Sequence, residues 1–163
     1  ERRPHTPPLV LAGQSTPESR QTLARLTCSP LAGHVQHAGY VDERQLQKLY
    51  EEAGLLVLPS LDEGFGIPAL EAMTVGVPVI AAARGALPEV VGDAGLLVDP
   101  LDVSALGAAL ERVLRDDQLR DRLSVAGGAR ARRFSWRASA DALTGAYAQA
   151  IERRRETANA HRY

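Results

Sequence analysis

One cysteine, Cys28, stands in 163 residues. A lone thiol excludes an intrachain disulfide and a cysteine-rich metal site, and it fits a reducing compartment. Long apolar runs are missing as well: none approaches the ~20 residues of a membrane span, and no signal-peptide pattern opens the chain. Charge of one sign is not in excess. Nineteen Lys and Arg against 20 Asp and Glu leave a formal net charge of -1, which supplies no general attraction to phosphate backbones or anionic lipid. Nucleic acid is therefore not expected as a partner, and any anion site must be local. The basic runs "ARARRF" (129–134) and "ERRR" (152–155) read as solvated helix faces in preference to a membrane or partner contact. The four histidines, His5, His34, His37 and His161, have no ligand-like spacing, so no metal is expected.

What is present reads as a folded domain. The chain is 45% hydrophobic and 24% charged, an ordinary globular composition, and its length suits one domain with a real core. Five short apolar runs, "PLVLAG" (8–13), "HVQHAG" (34–39), "LLVLPS" (55–60), "PVIAAA" (78–83) and "GLLVDP" (95–100), each close on Gly, Pro, Ser or Ala and predict five strands. Their apolar character is near continuous, as in strands buried on both faces by helices, so the sheet should be parallel.

Helical periodicity fills the intervals. In "DERQLQKLYEEAG" (42–54), Leu46, Leu49, Tyr50 and Ala53 share a face, Asp42 and Gln45 form a capping pair, and Gly54 supplies the stop. "VSALGAALERVLRD" (103–116) follows the N-cap Asp102 with Val103, Leu106, Leu110, Val113 and Leu114 on one face. A further helix is expected over 117–126, ending at Gly127-Gly128. A long last helix follows the N-cap Ser135, with Trp136, Ala140, Leu143, Tyr147 and Ile151 as its stripe, and residues 156–163 form a frayed tail. The alternation predicts a single doubly wound α/β domain over residues 1–155.

In such sheets ligands bind beyond the carboxyl ends of the strands. "PSLDEGFGIPALEAMTVGVPV" (59–79) begins at that place. Asp62, Glu63 and Gly64 lie in a loop, and a helix starts near Gly66 with Pro68 in its first turn, where a missing N–H costs nothing. Gly64 and Gly66 permit close approach, and free N–H groups at the positive end of the helix dipole favour a phosphate. Glu63, before the helix, and Glu71, about one turn inside it, would repel phosphate, so hydroxyl groups are their natural partners. Taken alone, two glutamates at this spacing read more simply as an electrostatic cap and a solvated helix residue.

The surroundings shift that balance. "LPSLDEGFGIPALEAMTVGVPVIA" (58–81), with "HAGYVDERQLQKLYEEAGLLV" before it and "GALPEVVGDAGLLVDPLDVSALGAALERVL" and "RFSWRASADALTGAY" after it, resembles in order and spacing the carboxyl-terminal, donor-binding domain of the retaining GT-B glycosyltransferases of group 1, or family 4. The resemblance implies a Rossmann-like half of a GT-B fold and a nucleoside-diphosphate sugar as donor substrate, with no cofactor. It implies that Glu63 meets hydroxyls of the transferred sugar as a donor-side catalytic residue, and that Glu71 binds the ribose. Gly64, Phe65, Gly66 and Ile67 would give main-chain contacts to diphosphate and sugar, and Gly39, Tyr40 and Val41 would lie beside the nucleobase. For Tyr40 a partly buried loop aromatic is an equal reading. "RGALPEVVG" (84–92) would wall the pocket, with Glu89 as a cap or packing residue.

The chain also departs from the family pattern. The family has a strand and helix ahead of this point, with an arginine and a lysine that grip the diphosphate, and an amino-terminal acceptor-binding domain. The chain opens at the family's second strand, without an initiator methionine, so it is expected to be a piece that transfers nothing alone. Membrane association, at the inner face, is expected only through the missing domain, and the location is otherwise cytoplasmic. No Asp-x-Asp pair is present to hold a metal-bound diphosphate, and the only lysine, Lys48, on the 42–54 helix, is a poor Schiff-base residue for a pyridoxal-phosphate phosphorylase. The expected donor is a hexose on UDP or GDP, and the alternative to a transferase is a non-catalytic nucleotide-sugar-binding or interaction module of the same fold.

Overall fold

A computed structural model of the protein describes residues 7–28 and 32–160. The chain divides into two compact units, Glu1–Glu52 and Ala53–Tyr163. In the first, strand β1 (Leu9–Ala12) leads through helix α1 (Pro17–Cys28) to β2 (Val35–Gly39), followed by α2 (Glu43–Glu52). β1 and β2 pair in parallel, Leu9 opposite Val35, with an irregularity between Leu11 and Ala12. Helix α1 was not expected from sequence. Its apolar residues are sparse, and it packs on β2.

The second unit contains β3 (Leu56–Leu58), α3 (Ile67–Thr74), β4 (Val79–Ala82), the short helix α4 (Leu87–Val91), β5 (Leu96–Val98), α5 (Val103–Arg115), α6 (Asp117–Ala131) and α7 (Trp136–Ala160). Its strands form a parallel sheet in the order β3-β4-β5. β4, flanked by a strand on each side, is buried at all four residues, whereas every residue of β3 and β5 is half-buried. Burial on both faces, expected of all five runs, is therefore a property of the central strand. In β1 the adjacent Leu9 and Val10, which point to opposite faces of the strand, are both exposed, so neither face is fully covered there by the described residues of that unit.

The core gathers Ile80 from β4, Ala109 and Val113 from α5, and Leu119 and Leu123 from α6. Each large side chain fully withdrawn from water there contributes about 1.5–3 kcal/mol. Helix starts are capped as the sequence indicates. Asp42 Oδ1 accepts from Gln45 N while Gln45 Oε1 accepts from Asp42 N, at 2.8 and 2.9 Å. Asp102 accepts from Ala105 N at 2.9 Å and Ser135 Oγ from Ala138 N at 3.1 Å.

Several expectations about the helices change. α6 does not stop at Gly127-Gly128 but runs on to Ala131. The pair is a point of helix–helix approach: a Cβ on Gly127 would sit 3.1 Å from Met73 Cγ of α3, so the absent side chain lets α6 close on α3 at the usual helical cost of glycine, about 1 kcal/mol. On α5, Val103 is 81% exposed, since at the first helical position it lies beyond the edge of the core that Leu106, Ala109, Leu110 and Val113 define. α7 is helical through Ala160, and residues 161–163 lie outside those described. Its stripe is real in spacing yet Trp136, Leu143, Tyr147 and Ile151 are all exposed. No helix among the described residues is long and apolar enough to cross a membrane.

Candidate functional site

Because β3, β4 and β5 run parallel, their carboxyl ends share one edge of the sheet. Three loops leave that edge: residues 59–66 into α3, 83–86 into α4, and 99–102 into α5. The first carries Glu63. Its side chain is half-buried, and its Oε1 accepts from Gly66 N at 3.1 Å. Gly66 is the N-cap of α3 at φ 92°, in the left-handed region that favours glycine. It is also buried against Leu87, whose Cδ2 would stand 2.7 Å from an added Cβ. Pro68 lies in the first turn, and Ala69 N and Leu70 N donate to Gly66 O.

The N–H of Gly66 is thus occupied by Glu63 rather than free, a correction to the expected open cradle. Among the described residues, those of Gly64, Phe65 and Ile67 make no hydrogen bond. These three residues are exposed, as is Glu71 on α3. Glu63, Gly64, Phe65, Gly66, Ile67 and Glu71 are therefore brought onto one loop and the first turn and a half of its helix.

The second loop is built to touch the first. Ala86 N donates to Glu63 O at 3.1 Å. Gly85, at φ 56°, lies so close that a Cβ would come 2.6 Å from Glu63 O and 3.0 Å from Glu63 N. Here glycine is required twice, for the conformation and for the contact. The third loop is tied to the second by Arg84 and Asp99, 3.2 Å apart. The backbone N–H of Leu101, and secondarily the Arg84 guanidinium, hold the Asp99 carboxyl below its usual range.

Gly39, Tyr40 and Val41 belong to the first unit, at the carboxyl end of β2. Gly39, at φ 68°, accepts through its carbonyl from Gly13 N at 2.8 Å. His37 Nε2 lies 2.9 Å from Gly13 O, a structural role for that imidazole. Val41 is half-buried, and Tyr40 is 73% exposed rather than partly buried. Lys48 pairs with Glu52 at 3.6 Å on the surface of α2. No group of three or more metal-ligating side chains occurs among the described residues.

Sequence reasoning missed Arg130. It was read with its neighbours as part of a solvated face, but its Nε donates to Val90 O at 2.9 Å and its Nη2 to Glu89 O. The guanidinium also lies 5.5 Å over the ring of Phe134. Nothing in a run of arginines marks which one turns inward. Glu89 takes part through its carbonyl, while its side chain is exposed.

Known proteins resemble this chain in sequence and in fold. The family model of glycosyl transferases group 1 matches residues 3–130. The chain is 43% identical over 129 residues to the O-antigen chain mannosyltransferase B of Escherichia coli, covering 79% of this chain and 34% of that protein. It also superimposes on sucrose-phosphate synthase from Thermosynechococcus elongatus with a TM-score of 0.77 and 35% identity, over 88% of this chain and 38% of that one. A third likeness, at a TM-score of 0.68 and 28% identity, is to the C-terminal domain of a glycosyl transferase group 1 family protein from Francisella tularensis, over 76% of this chain and 67% of that one. The chain spans about a third of the length of the curated relatives it matches. With parallel strands, flanking helices and a glycine-started helix at the sheet's carboxyl edge, it belongs to the glycosyl transferases group 1.

Proposed function

We propose that this chain is the donor-binding half of a retaining transferase that moves a hexose from a nucleoside-diphosphate sugar to an acceptor hydroxyl. In that step the bond from the sugar's anomeric carbon to the diphosphate breaks, the diphosphate leaving with the electron pair. A bond to the acceptor oxygen forms as that hydroxyl loses its proton. The observation that carries the reading is the disposition of Glu63 and Glu71 on either side of the α3 start, with the N–H groups of Gly64, Phe65 and Ile67 between them. The amides and the positive end of α3 suit the diphosphate. Glu63 then serves the transferred sugar as a donor-side catalytic residue and Glu71 the ribose, both through hydroxyl groups. In this reading no metal or cofactor is required. The mannosyltransferase among the relatives supports a hexose. The short match to each relative supports a separate acceptor-binding domain in the whole protein, without which the 163-residue chain transfers nothing. The same reading puts the protein in the cytoplasm, with any membrane contact made by that other domain.

Calorimetric titration of the full-length protein with UDP-, GDP- and ADP-sugars tests it. One base class should bind, and Glu71→Ala should weaken binding about tenfold or more, the loss of a hydrogen bond to a charged group. Glu63→Ala should lower radiolabelled transfer by about two to four orders of magnitude while donor affinity changes far less. Absence of binding by every nucleotide sugar would favour an interaction module of the same fold.

A further inference from the structure

Glu63 sits on a loop, and loops position catalytic groups well only when something fixes them. The neighbouring Gly85–Leu87 segment supplies one support, through the Ala86 N to Glu63 O bond and the Leu87 contact at Gly66. A second support comes from α6 and the turn after it. The Phe65 ring, between Gly64 and Gly66, meets the Phe134 ring edge to face, with centroids 6.0 Å apart and planes at 85°. Such a pair is directional as well as apolar. Arg130 lies over the other partner, Phe134, at 5.5 Å, within the range of a cation–π contact.

Arg130 also reaches the first support. Its guanidinium bonds the carbonyls of Glu89 and Val90 in α4, the helix that begins at Leu87. Gly92, just past α4, has left-handed geometry, and a Cβ there would stand 3.3 Å from the guanidinium carbon. One side chain thus holds both buttresses of the Glu63 loop. We propose that Arg130, acting through Phe134 and Phe65 on one side and through α4 on the other, is a positioning residue for the Glu63–Gly66 loop. Its planar fork is what the task needs: two carbonyls are bonded while the same cation stays over an aromatic ring, a fixed arrangement of donors that a lysine ammonium lacks. The consequence for function rests on the donor-binding reading; the mechanical linkage does not.

Two measurements separate these. Without ligand, amide hydrogen exchange at Gly66 and Ala86, whose N–H groups both bond Glu63, should rise by roughly tenfold in Phe134→Leu and Arg130→Met, with the β4 amides unchanged and Arg130→Lys lying between. Arg133→Ala, in the same basic run and exposed, should leave all of them at wild-type rates, and Phe134→Tyr, which keeps the ring, should restore protection. Unchanged exchange at Gly66 and Ala86, or a rise matched in β4, overturns the linkage. If Arg130→Met does not fold, Phe134→Leu decides alone. In the full-length protein the same loop-loosening variants should raise the donor KM or lower kcat without a parallel fall in Tm. Loosened exchange together with no nucleotide-sugar binding, even in the wild type, would instead overturn the donor-binding reading and leave the linkage standing.

Discussion

In the first unit β1 leaves Leu9 48% and Val10 39% exposed, whereas in the second all four residues of β4 are buried. Both segments read alike in sequence, as short apolar runs bounded by turn residues, and both become parallel strands. They differ in what covers them. β4 has a strand on each side, α3 and α4 against it, and Ile80 in a cluster with α5 and α6; among the described residues β1 has one partner strand. Among the described residues every buried side chain belongs to the second unit. A strand's composition reports the strand, while its burial depends on layers supplied from elsewhere.

The largest effect that sharpens this contrast is in the core. Ile80→Ala should cost the second unit about 2–5 kcal/mol, the transfer loss plus an unfilled cavity. Val35→Ala in β2, half-buried, should cost the first unit about 1 kcal/mol or less. Urea unfolding with native-state exchange read separately at β4 and β2 checks both, and equal costs would break the comparison.

A smaller difference is expected at two glycines that share a left-handed backbone. Gly85→Ala must place a methyl against the Glu63 backbone, so strain and clash together should cost at least about 1–3 kcal/mol and displace the Glu63 loop. At Gly39, with φ 68° and open space around a Cβ, only the conformational penalty applies, about 1–2 kcal/mol. Chemical-shift changes at Glu63 in the first variant, and none beyond the mutated turn in the second, would bear this out.

The same division explains what could be read in advance. Periodicity and turn residues located all five strands, and cap chemistry located Asp42, Gln45, Asp102 and Ser135, because these depend on neighbours within four positions. Gly127 was misread because its reason lies on α3, at Met73. Arg130 was overlooked because its partners, Glu89 and Val90, stand forty residues away. The α7 stripe was legible as a pattern, but a pattern does not say whether a covering surface is present. At the site, the Glu63 and Glu71 spacing was visible, whereas the approach of Gly85 to Glu63 follows only from the order of parallel strands.

The smallest effect asked for is one that should not differ between the units. Asp42→Ala removes half of a reciprocal capping box at α2, and Asp102→Ala removes a single cap at α5. Cap energies depend on the helix's own first turn, so each should cost about 0.5–2 kcal/mol despite the unequal burial of α2 and α5. α2 has no buried residue, while α5 buries Ala109 and Val113. Exchange at the first-turn amides Gln45 and Ala105 measures the two caps directly. Similar losses would confine the contrast between units to packing. A loss at α2 several times that at α5 would mean that the less buried helix depends on its cap to form at all, and that the two units differ in local as well as tertiary stability.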